Sequence, residues 1–191
     1  VAKVGGGAPP PPGPPPPGGA KKTTRRCTQV AGPGFDAVVW EVWPCLACGA
    51  SLHLVEAETA AMPRLLRDWL VEREITQSFL PTPLAETLLA LPWPAAAPLA
   101  HLLTGGDRLH GGASPGAPFR LVNHYGPTES TVVSTCGVVE PGGAEGLPSI
   151  GRPIANLQVH VLDVTGREVP RGTPGELCVG GGGLARGYRG G

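Results

Sequence analysis

Phe119-Arg120-Leu121-Val122-Asn123-His124-Tyr125-Gly126-Pro127-Thr128-Glu129-Ser130-Thr131 is the stretch from which the fold can be read. Phe119 to Val122 is a short apolar run, the pattern of a buried strand. Asn123 to Thr131 then reads as a loop, because Gly126-Pro127 bends the chain and Asn, Ser and Thr are turn formers. The loop concentrates an aromatic ring, hydroxyls and a carboxylate at the end of a rigid element. Those are the contacts of a magnesium-bound nucleotide: a π-face for a base, a hydroxyl for a phosphate oxygen, a hard oxygen ligand for the metal. A plain surface turn would use the same Gly-Pro, Asn, Ser and Thr, so the loop's composition leaves both readings open.

Outward from this stretch, helix and strand signals alternate. Ala37 to Ala47 is apolar nearly all round, with Trp40 and Trp43 on one face, which predicts a largely buried helix. Ser51 to Val55 reads as a strand; Pro63 can open a helix in which Leu65, Leu66, Trp69 and Leu70 recur at helical spacing. Ile75 to Leu80 reads as the next strand, Pro83 to Leu91 as the next helix, and Leu99 to Thr104 as a strand ending in Gly105-Gly106-Asp107. Strands alternating with helices imply an α/β fold with a mostly parallel sheet. Ligands of such sheets gather at the carboxyl ends of the strands. Phe79, Leu103 to Asp107 and Asn123 to Glu129 are therefore expected on one rim. After Thr131 only strand signals remain, over Thr131 to Val139, Gln158 to Leu162 and Glu176 to Val179, which predicts a small β subdomain. The expected organisation is a Pro/Gly-rich segment over 1–30, an α/β portion over 31–130 and a β-rich portion over 131–191.

A chain of 191 residues with 41% hydrophobic content can bury one core. The formal net charge is zero, so the balance of charge points to neither nucleic acid nor an anionic membrane. No apolar run has spanning length and no signal-like segment opens the chain, so the expectation is a cytoplasmic protein. Cys45 and Cys48 form a lone C-x-x-C without a second pair, which is too few soft ligands for zinc and is expected to be buried thiols. Pro9 to Pro12 and Pro14 to Pro17 favour polyproline II or disorder, a linker or a ligand for an SH3- or WW-type groove. Lys21-Lys22 and Arg25-Arg26 read as a solvated basic patch.

Tyr125-Gly126-Pro127-Thr128-Glu129 resembles the nucleotide-binding core motif of adenylate-forming enzymes. Two further blocks match in order, Phe35-Asp36-Ala37-Val38-Val39-Trp40-Glu41-Val42-Trp43 upstream and Gly175 to Tyr188 downstream. Together they resemble the amino-acid adenylation domains of nonribosomal peptide synthetases, from about Thr28 to the last residue. The fold so implied is part of the large N-terminal subdomain of the adenylate-forming fold, followed by part of a small β-barrel-like subdomain.

The resemblance implies ATP and Mg²⁺ as the nucleotide and its ion, with phosphopantetheine on a separate carrier domain. Tyr125 would stack on adenine, Asn123 would hydrogen-bond its amino edge, and Gly105, Gly106 and Asp107 would line the base, with Gly126 in the same motif. Thr128 would contact the α-phosphate and Glu129 would ligate magnesium, these two lying closest to the chemistry. Asp36 would pair with the α-ammonium of the amino acid, because a desolvated ammonium needs a charged acceptor. The side-chain pocket would be Ala37, Trp40, Phe79, Leu103, Gly105, His124, Val132 and Val133. That wall is almost wholly apolar and suits an aliphatic side chain, which loses no hydrogen bond on entering. It resembles the pocket of leucine-activating domains, except that His124 stands where Asn is more usual; His124 is expected at the rim and not as a general base.

The family's phosphate loop and catalytic lysine have no counterpart in these residues, so the expected function is amino-acid activation as aminoacyl-AMP in a catalytically incomplete fragment. Carrier and condensation domains of a multimodular synthetase are the implied partners. The alternative is a non-catalytic remnant or a partial nucleotide-binding module. Gly180 to Ala185 fits a loose dinucleotide fingerprint after a strand, but no helix pattern opens there; Gly182 to Gly187 has the length of a P-loop, but Tyr188-Arg189 replaces its Lys-Ser/Thr.

Overall fold

The computed structural model describes residues 25–142 and 146–189. The proline tract and Lys21-Lys22 lie outside the described residues. Among the described residues nine strands form two sheets: β1 (Arg26–Gln29), β2 (Ser51–Leu54), β3 (Gln77–Pro81), β4 (His101–Gly105), β5 (Arg120–Tyr125), β6 (Thr135–Val139) and β7 (Arg152–Pro153) in one, β8 (Leu157–Leu162) and β9 (Glu176–Gly181) in the other. The large sheet has the order β2-β1-β3-β4-β5-β6-β7; the first five strands are parallel, and β6 and β7 are antiparallel. The expected α/β class with a mainly parallel sheet is therefore what the chain adopts.

Four helices connect the parallel strands: α1 (Ala37–Ala47), α2 (Ala57–Ala61), α3 (Pro63–Glu72) and α4 (Thr82–Leu89). Pro63 occupies the first turn of α3, where its missing N–H costs nothing. Leu66 and Leu70 of α3 and Ala85 and Leu88 of α4 are fully buried against Leu80, Leu102 and Leu121 of the sheet. Each such leucine contributes about 1.5–3 kcal/mol through removal of its surface from water. The order 2-1-3-4-5 reverses direction between β1 and β3, and the crevice outside the carboxyl ends of those strands is where such folds bind ligands.

Four sequence expectations need correction. The strand read as Phe119 to Val122 runs on to Tyr125, so Asn123, His124 and Tyr125 are strand residues, held by antiparallel pairing of Tyr125 with Thr135. The strand expected from Thr131 begins only at Thr135, because Thr131 and Val132 have left-handed φ values of 62° and 70° that a ladder cannot contain. It then extends the large sheet, while β8 and β9 pair separately. Helix α1 is not largely buried: Val39, Trp43 and Leu46 are exposed, and Glu41 and Cys45 face inward. The reason is chemical, since Glu41 accepts hydrogen bonds from the Val30 and Ala31 N–H groups and thereby chooses the inner face. Cys48, just past the end of the helix, is exposed, whereas Cys45 is buried as expected.

Candidate functional site

Parallel pairing brings the carboxyl ends of β3, β4 and β5 together: Phe79 lies beside Leu103, and Thr104 beside Asn123. The alternation of side chains along β5 then separates two environments. Asn123 points to one face, where its Nδ2 donates to the Ser149 carbonyl at 3.1 Å. His124 points to the other, edge-on to Trp40 of α1 with ring centroids 5.4 Å apart and nearly parallel to Phe79 at 6.3 Å. His124 is thus buried and does not sit at a rim, a further departure from expectation. Burial pushes its imidazole down to about 4, which keeps the ring neutral near pH 7. Its Nδ1 is buried without a hydrogen-bond partner. Beneath these rings a cavity of about 30 Å³ is bounded by Trp40, Glu41, Phe79 and Leu103, enough for roughly one water.

Gly105 closes β4 against the same histidine. A Cβ there would stand 2.8 Å from the His124 carbonyl oxygen, so only glycine lets β4 and β5 approach this closely. Beyond it Gly106 and Asp107 are exposed; the Asp107 carboxylate accepts from the Arg108 N–H at 2.6 Å, and its carbonyl accepts from the Thr82 hydroxyl at 3.2 Å.

The loop after β5 is a short 3-10 turn over Thr128–Ser130 followed by the two left-handed residues. Two consecutive β-branched residues in that region store roughly 1–3 kcal/mol each and persist only where neighbours hold them. The Ser134 N–H donates to the Tyr125 carbonyl at 2.7 Å, the Thr131 hydroxyl to the Gly183 carbonyl at 2.6 Å, and the Ala185 N–H to the Glu129 carbonyl at 2.7 Å. Gly126 packs under the turn, where a Cβ would lie 2.5 Å from the Val132 carbonyl oxygen. Val133 is buried behind it and Val132 half-buried. Tyr125 remains exposed at the strand's end.

The carboxylates at this rim are engaged internally. Asp36, at the start of α1, caps no helical N–H; its Oδ2 accepts from the Thr128 hydroxyl at 2.5 Å. Glu129 Oε1 accepts from the Tyr188 hydroxyl at 3.0 Å, and that carboxylate raises the phenol's pKa above its ordinary value. Asp36 and Thr128 thus meet across 92 positions of sequence, as do Trp40, Phe79 and His124 from three different elements. Local pattern gives no sign of the Glu41 bonds to Val30 and Ala31 or of the Tyr188 bond to Glu129. Both join segments that only the tertiary fold brings together.

The family model described as "AMP-binding enzyme" matches residues 18–189. The chain belongs to the AMP-binding enzyme family. Within it, the chain is 55% identical over 164 residues to a linear gramicidin synthase polypeptide of Brevibacillus parabrevis, covering 85% of this chain and 3% of that protein. It is 45% identical over 163 residues to surfactin synthase subunit 1 of Bacillus subtilis (strain 168), covering 85% of this chain and 4% of that protein. The solved structure of holo-PA1221, an NRPS protein containing adenylation and PCP domains bound to a vinylsulfonamide inhibitor, superposes with a TM-score of 0.71 at 32% identity, over 87% of this chain and 30% of that one. The AMP-binding chain therefore spans a few per cent of these curated synthetases and about a third of the solved protein. In sequence and in fold it is similar to part of the adenylation domains of nonribosomal peptide synthetases. Among its described residues no helix is long and apolar enough to cross a membrane, and no group of three or more His, Cys, Asp or Glu could hold a metal ion.

Proposed function

We propose that these residues bind ATP and an amino acid for activation as aminoacyl-AMP. The observation that carries the reading is the 2.5 Å contact between Asp36 and Thr128. An ammonium held by Asp36 and an α-phosphate held by Thr128 would set the amino acid's carboxylate beside the phosphorus. That carboxylate is already ionised, so its oxygen bonds to the α-phosphorus while the bond to the bridging oxygen breaks and pyrophosphate leaves. No general base is required, and the neutral, buried His124 is not positioned as one.

The donor set suits the nucleotide. The Ser149 carbonyl requires an N–H from Asn123, which leaves Oδ1 as the amide's acceptor for the amino edge of adenine. Tyr125 offers an exposed ring for stacking, and Gly105, Gly106 and Asp107 lie on the adjoining strand end. Glu129 would hold Mg²⁺ as a single carboxylate ligand, which fits a hard ion that keeps several waters. When bound, that ion offsets charge on the phosphates. The side-chain pocket of Ala37, Trp40, Phe79, Leu103, Val132 and Val133, with uncharged His124, supports leucine or a similar aliphatic amino acid. Apolar walls separate leucine from valine by only about 1–3 kcal/mol. The acceptor of the acyl group is proposed to be the phosphopantetheine thiol of a carrier domain, beside condensation domains.

The sequence's lysines, Lys3, Lys21 and Lys22, precede the described residues, so no lysine ammonium from 25–142 or 146–189 is available to neutralise charge at the reacting phosphate. The 191-residue chain is accordingly proposed to bind more than it turns over. Amino-acid-dependent ATP–pyrophosphate exchange tests this, run on the 191-residue chain and on the product of its complete reading frame. Exchange with leucine above other amino acids in the latter supports the assignment; exchange with none of the twenty, alongside no measurable leucine binding, sinks it.

A further inference from the structure

Helix α1 carries Trp40 and begins directly after Asp36, the proposed contacts for the side chain and for the ammonium, yet little of its own sequence fixes it in place. Asp36 makes no capping bond, and the first turn holds no acidic residue. Pro44 lies inside the helix and removes one backbone donor. The connection from β1 includes Ala31-Gly32-Pro33-Gly34, two of whose residues are glycines with a free choice of backbone angles.

Against this stands a buried carboxylate attachment, on the same inner face as the contact of Cys45 with Cys27 of β1. Glu41 Oε1 accepts from the Val30 N–H at 2.9 Å, and Oε2 accepts from the Ala31 N–H at 3.0 Å. Those two N–H groups are the first beyond β1, at the point where the sheet reverses its winding. The carboxylate is the side chain between Trp40 and Val42, so anything that shifts it shifts the Trp40 ring against His124 and Phe79. Glu41 is 5% exposed and borders the cavity beneath those rings.

We propose that Glu41 is the positioning residue of the amino-acid site: its carboxylate clamps the end of β1 to α1 and thereby holds Asp36 and Trp40 where the substrate meets them. The proposal rests on the amino-acid activation reading above. Glu41 does not touch the substrate. It acts through the helix, and its effect falls on amino-acid binding more than on the nucleotide, whose proposed contacts lie on β4, β5 and the turn after it.

The clamp is pH-sensitive in a defined direction. Burial raises the Glu41 carboxyl to about 7, opposed in part by the two backbone donors. Other titratable groups packed near it are the Cys27 thiol of β1, pushed up to about 12 chiefly by burial and then by Cys45, and the Cys45 thiol one turn along α1. The strands opposite bring Gln77, Phe79 and Leu103, none of them charged. The ionised carboxylate accepts both N–H bonds, and the protonated one has lost an acceptor oxygen. Amino-acid binding should therefore strengthen as pH rises through about 7. Stability should run the other way. With its folded pKa above the unfolded value, Glu41 contributes most below the unfolded pKa, and that contribution is lost as pH rises through about 7.

The test compares wild type with Glu41→Gln and Glu41→Asp. In the product of the complete reading frame, KM for leucine and KM for ATP are measured from about pH 6 to 8.5 by pyrophosphate exchange, a range that brackets the Glu41 carboxyl. In the 191-residue chain, the amide resonances of Val30 and Ala31 are followed over the same range. Expected are a rise of about tenfold or more in leucine KM for Glu41→Gln, ATP KM within about twofold, and loss of the acid limb of the leucine profile. The two amides should titrate near pH 7 in wild type and not in Glu41→Gln. Glu41→Asp should retain part of the leucine affinity and an acid limb. Equal rises in both KM values, or an unchanged leucine profile with wild-type exchange intact, overturns the positioning role while the activation reading stands. If wild type neither exchanges nor binds any amino acid, the activation reading fails, and the positioning role with it. Flat Val30 and Ala31 amides in wild type overturn the clamp by themselves.

Discussion

The Thr128 hydroxyl donates to Asp36 Oδ2 at 2.5 Å, joining the turn after β5 to the start of α1. Two groups proposed here for different substrates therefore touch each other. The hydrogen bond keeps the Asp36 carboxylate partnered, and an ammonium reaching it would gain a charge-assisted bond in exchange for a neutral donor.

Asp36→Ala should cost about 1.5–3 kcal/mol of amino-acid binding, roughly 10- to 100-fold, since a hydrogen bond to a charged group is lost. The fold should persist, because Asp36 caps no helical N–H. Leucine titrations at saturating ATP, with circular dichroism as the control, check this. An unchanged leucine affinity would remove Asp36 from the site.

His124 predicts a loss of stability in mild acid. Its folded pKa of about 4 lies below the ordinary value of 6.5, so the unfolded chain binds the proton first. Stability should fall as pH drops from about 6.5 toward 4, by at most roughly 3 kcal/mol for this group alone. Urea midpoints near neutrality and about two pH units lower, for wild type and His124→Leu, measure the difference. The variant should lose that part of the slope and shift side-chain preference, while nucleotide affinity stays the same.

Gly126→Ala should destabilise by about 1–3 kcal/mol, because the new methyl meets the Val132 carbonyl oxygen at 2.5 Å in a turn already carrying two left-handed residues. The urea midpoint should drop accordingly, and nucleotide affinity should fall with it as Tyr125 and Thr128 move apart. A midpoint equal to wild type would show that the turn can open freely.

Tyr188→Phe removes the hydroxyl that occupies Glu129 Oε1. Both side chains are exposed, so stability should change little. The freed carboxylate should lower the Mg²⁺ concentration needed for half-maximal ATP binding severalfold. No change in that concentration would argue that Glu129 does not ligate the ion.

Much of the architecture is legible because β3, β4 and β5 are short apolar runs, the first two separated by a helical pattern, and parallel strands then align their carboxyl ends by geometry alone. That rule already gathers Phe79, Leu103 to Asp107 and Asn123 to Glu129 on one rim. What escapes is everything decided by a single distant partner. Glu41 looks like an outward charge on an apolar helix until the two orphaned N–H groups at the end of β1 are seen to need it. Thr131 and Val132 read as strand by their β-branching, and only the anchors from Gly183 and Ser134 explain how they hold left-handed angles. His124, polar by type, reads as a rim residue because nothing local announces that Trp40 and Phe79 enclose it.

Asn123 and His124 are adjacent, yet one reaches Ser149 and the other reaches Trp40 and Phe79. The strand β5 is thus a partition one backbone thick. On the proposed reading, substitution at His124 redraws what is accepted on one side and leaves the nucleotide contacts on the other, so selectivity can drift in evolution while the chemistry is kept. Insertion or deletion of a single residue would exchange the two sides outright. Change at this wall is therefore mild by replacement and ruinous by slippage.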